Sequence, residues 1–273
     1  MSKYRSCAGM STFNTGNSVC PLDPGKVKAI ILMTSGHKLP TELDAKTLEE
    51  LCHADRPDRI FPLKTIVEYS PSGGEAQTSA VGYGPTKITG YSPKTDTWTL
   101  ESADLSIKAN LAKAKNVAFD AYFVDDNNVI YGIEDNNGEL AGVPMAGVYP
   151  GGQDFTSSGQ NATLTVTTMF KDYEKFMKNM DVELCDFDVV EALSGVVFVD
   201  LVKDGDDYKI VEHYGKLDIT EYYGALLASK KDTAMPNATA VTYSDGKLTI
   251  TGEAKLAAPS VLYQAGIIGI EQW

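Results

Sequence analysis

The chain has 273 residues, 43% hydrophobic and 22% charged, so it is globular and long enough for one large domain or two modest ones. Its formal net charge of -13 excludes a broad phosphate-neutralising face, and with it a general binder of duplex DNA. No window reaches the roughly 18 consecutive apolar residues of a membrane-spanning helix. The start, MSKYRSCAGMSTFNTGNSVC, lacks the roughly 7–15-residue apolar run of a secretory signal. Synthesis in the cytoplasm, with no membrane segment and no export by the usual route, is expected.

Residues 1–25 read as an extended arm: Ser, Thr, Asn and Gly dominate, apolar residues are few, and the stretch ends in Pro21 and Pro24. Such a segment cannot bury enough surface to fold alone. Val27 to Met33 is an apolar run of strand length closed by Ser35-Gly36. Asp44 is placed to cap a helix over 44–53, whose apolar stripe is Leu48, Leu51 and Cys52; Pro57 follows it. Ile60 to Tyr69 returns to strand character, and residues 70–100 have the Gly- and Pro-punctuated texture of hairpins and loops.

A second helix is expected over 102–116, with Leu105, Lys108, Ala109, Ala112, Leu111 and Ala114 at helical spacing. Val117–Val124, Val129–Ile133 and a third strand near Gly142–Tyr149 form a meander, joined by Asp125-Asp126-Asn127-Asn128 and Asp135-Asn136-Asn137-Gly138. Ala162 to Phe170 alternates, Leu164 and Val166 against Thr163, Thr165 and Thr167, as a half-buried strand does. A short helix over 172–179 follows. The last ninety or so residues repeat the β texture, with hairpins turning at Asp204–Asp207 and Ser244–Gly246 and an apolar end from Val261 to Trp273, docked in its own sheet or in a partner. The expected fold is mainly β with a few short helices (α+β). The division is an arm at 1–25, a β-rich domain at 26–181, and a β-rich part at 182–273 that either completes the sheet or forms a second domain.

Catalytic patterns are weak. His37, His53 and His213 fall in no common motif, and single histidines are usually structural or exposed. Ser35-Gly36-His37-Lys38 fits Ser-x-x-Lys without its companion motifs, and Gly82-Tyr83-Gly84-Pro85 fails as a dinucleotide fingerprint at its third glycine. Cys7, Cys20, Cys52 and Cys185 contain no Cys-x-x-Cys, so a structural zinc site is not expected; they read as free thiols in a reducing compartment, and a Cys7–Cys20 pair in an oxidising one stays open. The clusters Asp125-Asp126, Glu134-Asp135 and Asp204–Asp207 match no calcium loop and read as solvated turns. Tyr69, Tyr83, Tyr91, Trp98 and Tyr149 could form a sugar-stacking platform, but the pattern better suits half-buried β faces or subunit contacts. No catalytic, cofactor-binding or metal-ligating residue is assigned, and no enzymatic activity is expected.

The helix SADLSIKANLAKAKN, the paired strands NVAFDAYFVDDNNVIYGIED and the alternating strand NATLTVTTMFKD together resemble the pattern of phage tail tube and related virion structural proteins, over about a third of the chain. The resemblance implies a β-sandwich or barrel packed by one helix. It implies a virion location in a protein made in the bacterial cytoplasm, with copies of itself in a ring or tube, and other virion proteins, as partners. It also gives the acidic balance a use, since a negative lumen repels phosphates and lets DNA pass without specific binding. A capsid or tail decoration, a carbohydrate-binding module and, further off, a hydrolase with scattered carboxylates are the competing readings.

Overall fold

The computed structural model describes residues 22–273. Most of the arm, and with it the Cys7–Cys20 question, lies outside the described residues. In chain order the first elements are β1 (Val27–Thr34), α1 (Ala45–His53), β2 (Ile60–Leu63), β3 (Ile66–Ser72), β4 (Ala76–Ser79), β5 (Lys87–Tyr91) and β6 (Thr95–Leu100). Then come α2 (Leu105–Lys113), β7 (Phe119–Asp125), β8 (Val129–Glu134), β9 (Leu140–Ala141), β10 (Val143–Asp154), β11 (Thr163–Phe170), α3 (Tyr173–Lys178), β12 (Met180–Leu184) and α4 (Val189–Ala192). The remainder is β13 (Val197–Asp204), β14 (Asp207–Glu212), α5 (Thr220–Ser229), α6 (Lys231–Ala234), β15 (Ala238–Ser244), β16 (Lys247–Gly252), α7 (Pro259–Gln264) and β17 (Ile270–Gln272).

The first sheet runs β12-β8-β7-β10-β11-β6-β3, with β1 on the free side of β7, β2 on β1 and β9 on β8. Its centre is β1 against β7, paired from Thr34–Phe119 to Val27–Asp125. Successive side chains on a strand point to opposite faces. Ile30 and Leu32 therefore enter one core with Phe119, Ala121 and Phe123, while Ala29, Ile31 and Met33 enter another with Tyr122 and Val124. A strand covered on both faces has no reason to alternate, which is why Val27–Met33 reads as an unbroken apolar run.

The two cores are roofed differently. The first is the inside of the curled sheet, closed by Val143, Val148, Leu164, Val166 and Trp98, with Leu111 of α2 and Phe176 of α3 packed at its rim. The second lies under α1 and α4, through Leu48, Cys52, Val189 and Leu193. The mainly β, α+β expectation holds; helices form within the expected 44–53 and 172–179 with little loss and within 102–116 only over Leu105–Lys113, three residues short at each end, and each is capped by its preceding aspartate: Asp44, Asp104 and Asp172.

The C-terminal part adds its own five-stranded sheet, β15-β16-β14-β13-β17, around a third core that includes Val199, Ile210, Leu248, Leu262 and Ile270. The apolar end docks at home: β17 runs parallel to β13, Ile270 beside Val197. Two features go beyond the sequence reading. Helices α5, α6 and α7 cover the sheet of the β-rich C-terminal part; α5 has Tyr222, Ala225 and Leu226 on its exposed side, so no polar stripe advertises it. Strand β12 (Met180–Leu184) pairs with β8 in the first sheet, so that sheet runs a few residues past position 181.

Candidate functional site

The first sheet curls until the start of β1, beyond its pairing with β2, approaches the end strand β3 without pairing. On one side is the start of β1, at Lys26–Lys28; on the other is β3, at Ile66–Tyr69; between them opens a cavity of about 490 Å³. β3 shows how incomplete this seam is. Ile66 is buried, but every residue from Val67 to Ser72 is exposed, although β6 pairs along one edge of the strand.

Next to the seam the chain leaves the body. Gly73 and Gly74 have φ of +75° and +84°, and a Cβ on either would stand 1.9 Å from the Pro93 carbonyl oxygen or 2.7 Å from the Tyr173 ring. Only glycine fits both the backbone and the space. The chain then forms the β4–β5 hairpin, paired from Ala76–Tyr91 to Ser79–Lys87. Its base is held by Ser92 Oγ, which donates to Glu75 Oε2 at 2.6 Å, and by Tyr91, edge-on to Tyr173. Beyond that base none of the described residues covers it: all residues from Glu75 to Thr89 are exposed, Val81 at 90% and Tyr83 fully.

The buried polar groups of this region satisfy one another. Lys94 and Asp96 form an ion pair of 2.7 Å with both side chains under 10% exposed. Tyr69 donates its hydroxyl to Asp96 at 3.3 Å and stacks on Trp98 at 4.6 Å. Burial pushes the Asp96 carboxyl above its ordinary value, against the pull of Lys94 and Tyr69. The Tyr69 hydroxyl is pushed up as well, by burial and then by the Asp96 charge. Across the seam, burial works to raise Asp125, but hydrogen bonds from the Val129 and Gly25 amides, the Tyr131 hydroxyl and the Asn127 amide prevail and hold it below the usual carboxylate value.

The residues singled out in the sequence do not converge. His37 lies at the surface, 3.2 Å from Asp58. His213 meets Asp200 at 3.0 Å and stacks on Trp273 at 4.3 Å. His53 is buried and ties α1 to the C-terminal part: Nδ1 donates to the Glu49 carbonyl at 2.8 Å, and Nε2 accepts the Gly269 amide at 3.0 Å. That pattern defines the neutral Nδ1–H tautomer. Tyr263 stacks on the ring, and Arg59 meets Glu271 at 2.6 Å nearby. Ser35 and Lys38 do not face each other either; Ser35 donates to Asp120, and Lys38 pairs with Asp135 and Glu139.

Among the described residues, no three His, Cys, Asp or Glu side chains are grouped to hold a metal ion, and no helix is long and apolar enough to cross a membrane. Cys52 and Cys185 are free thiols, raised by burial to about 11 and about 12. The reading of the acidic clusters as solvated turns needs amending at Asp125, which is fully buried and caps the β7–β8 turn. The five aromatics part company: Trp98 is in the core with Tyr69 over it, Tyr91 braces the hairpin, Tyr149 is partly exposed and Tyr83 sits at the hairpin tip. Gly82–Pro85, rejected as a phosphate loop, is the tip turn itself, closed by the Gly84 amide on the Val81 carbonyl at 3.0 Å. Sequence reasoning missed the seam because it is a gap between strands nearly forty residues apart.

No family model and no curated protein matches this sequence. Among solved structures, similarity is found to the cap that terminates the tube of the anti-feeding prophage, determined by cryo-EM, at 10% identity over 64% of this chain and all of that one, with a TM-score of 0.26. A score at that level decides neither fold nor role.

Proposed function

We propose that this protein is a structural subunit that assembles with copies of itself, of the phage tail tube type, forming a ring or tube in a virion through which DNA passes. The observation that carries this reading is the β4–β5 hairpin. An isolated two-stranded hairpin is marginal in water, yet this one stands off the body with Val81, Tyr83 and Ile88 in solvent. Covering Val81 and Ile88 would stabilise an interface by about 1.5–3 kcal/mol each. The edge of β3 that no described strand pairs points the same way, since an unpaired edge is a template for another chain. The sequence resemblance supplies the tube, and the net charge of -13 suits a passage that must not hold phosphates.

The test is the mass of the purified protein in solution, with negative-stain images of the same sample. Rings or tubes that form as the protein is concentrated are the expected result. A protein that stays monomeric at every concentration overturns the reading and turns attention to a ligand or a different partner.

A further inference from the structure

The three histidines sit in two kinds of setting. His37 and His213 each face an aspartate, Asp58 at 3.2 Å and Asp200 at 3.0 Å. His53 faces no carboxylate among the described residues. Both of its ring nitrogens are committed to the backbone instead, Nδ1–H to the Glu49 carbonyl at 2.8 Å and Nε2 to the Gly269 amide at 3.0 Å. The side chain is 1% exposed, and its ring stacks on Tyr263 with 4.8 Å between centroids. A backbone amide can only donate, so Nε2 holds Gly269 only while it carries no proton. A proton there sets N–H against N–H in a site closed to solvent, where neither group finds another acceptor.

This bond joins distant parts of the chain. His53 ends α1, and Gly269 closes the connection 265–269 between α7 and β17. Other ties cross the same junction. Glu49 Oε2 accepts from the Tyr263 hydroxyl at 3.2 Å, Asp55 Oδ2 accepts from the Ser260 hydroxyl at 2.9 Å, and Arg59 meets Glu271 at 2.6 Å. Behind Gly269 the Tyr223 hydroxyl donates to the Ile268 carbonyl at 2.9 Å. On α1, Glu50 pairs with Lys46 at 3.3 Å; on the Cys52 side, Lys64 donates to the Leu193 carbonyl at 2.6 Å. Burial, first among the causes, raises the Cys52 thiol and the Tyr223 and Tyr263 hydroxyls, so these keep their protons at neutral pH. Histidine is the side chain whose ordinary titration falls between about pH 5 and 8. Of these ties, the one through His53 is therefore the one that a proton exchanged near neutrality makes or breaks.

We infer that His53 is a pH-sensitive latch between α1 and the connection 265–269: the neutral ring fastens that connection at Gly269, and the protonated ring releases it while the rest of the fold stays closed. The connection is built to yield locally. Gly266 and Gly269 have φ of +82° and +86°, and Ile268 between them is 41% exposed. Ile267 stays anchored in the third core, so the part released is the Gly269 end. Beyond it, β17 is a strand of three residues with β13 as its one neighbour in the sheet. The direction follows from linkage. The bond exists only with a neutral ring, so its contribution is present above the unfolded-chain histidine value of about 6.5 and is lost as the pH falls and the folded ring takes a proton.

Hydrogen exchange of the full chain, read by mass spectrometry at about pH 7.5 and about pH 5.5 and corrected for the intrinsic pH dependence of amide exchange, tests the latch. Protection of the peptide over 265–273 is expected to fall about tenfold or more at the lower pH, as one buried hydrogen bond is lost and its amide left unpaired. Peptides from β1 and β7 should keep theirs. His53→Gln places an amide that does not titrate near Gly269 and should abolish the step. His213→Gln, which removes the other histidine beside Trp273, should retain it. In the parent protein, the His53 ring followed by proton NMR should titrate with the same midpoint as the loss of protection, a check that needs no variant. Unchanged protection over 265–273, an equal loss in β1 and β7, a step that survives H53Q or vanishes in H213Q, or midpoints that differ would each overturn the latch.

Discussion

The β1–β7 pair and the β4–β5 pair are both antiparallel two-strand ladders, and they sit in opposite environments. In β1–β7, alternate side chains fill two cores, and Ile30, Ile31, Ala121, Tyr122 and Val124 are fully buried. In β4–β5 every strand residue but Gly90 and Tyr91 is exposed. The backbone hydrogen bonds are alike, so they cannot be what makes one ladder the centre of the molecule and the other a projection. The difference lies in apolar burial, on which the stability of β structure chiefly depends. A ladder that lacks burial within its own chain and keeps apolar residues at its tip is what the proposed self-assembly rests on.

Where the two regions meet, Lys94 and Asp96 lie beneath the hairpin's base. Replacing Lys94 by Met leaves a buried carboxylate unpaired and is expected to cost about 3–5 kcal/mol at neutral pH, read by urea denaturation. The Asp96 pKa is already raised in the folded state by burial. The folded protein therefore holds this proton more tightly than the unfolded chain, and the loss should shrink as the pH falls towards the carboxylate range and grow as it rises. A loss independent of pH would show that Asp96 is not the group left exposed to that penalty.

The comparison itself is tested by a matched pair of truncations. Ile30→Ala opens a void between the sheet and its core and is expected to cost about 2–5 kcal/mol. Ile88→Ala removes the same atoms from the bare hairpin and should change monomer stability by less than about 0.5 kcal/mol. Equal losses would mean that the hairpin is packed in the free subunit and would remove the reason for seeking a partner.

The smallest effect belongs to the surface turn after β8. Hydrogen bonding to Lys38, then the Glu139 and Asn137 amides, pulls Asp135 down to about 2. A depressed carboxylate stabilises the fold above its ordinary value, and that contribution fades as the pH falls from about 4 towards 2. Asp135→Asn should flatten this acid limb slightly and leave the midpoint at neutral pH almost unmoved. An acid limb identical to that of the parent would assign the acid sensitivity elsewhere, with Asp125 the next group to test.

Much of the fold was legible because its signals are local. Asp44, Asp104 and Asp172 each cap the helix they precede, and the Asp-Asn turns at 125–128 and 135–138 close the meander where their chemistry requires. The helix α5 was missed because its outer face is as apolar as its inner one, so its sequence lacks a 3.6-residue polar period. Of the candidate surface, Gly82–Pro85 was visible as a turn and Tyr83 as an aromatic in a loop-like segment. Their joint position at the tip of a bare hairpin was not.

By itself, then, the sequence determined the β-rich class, the turns and caps, the buried run of β1, the acidic balance and the weakness of any catalytic motif. Composition and short-range periodicity carry these, because they depend on neighbours within a few residues. Only the tertiary structure decided that the start of β1 and β3 stop short of each other, that His53 joins the C-terminal sheet to the body, and that the hairpin stands off beside the cavity. Those features depend on residues forty to more than two hundred positions apart being brought together or held apart by packing, and no local pattern encodes such distances.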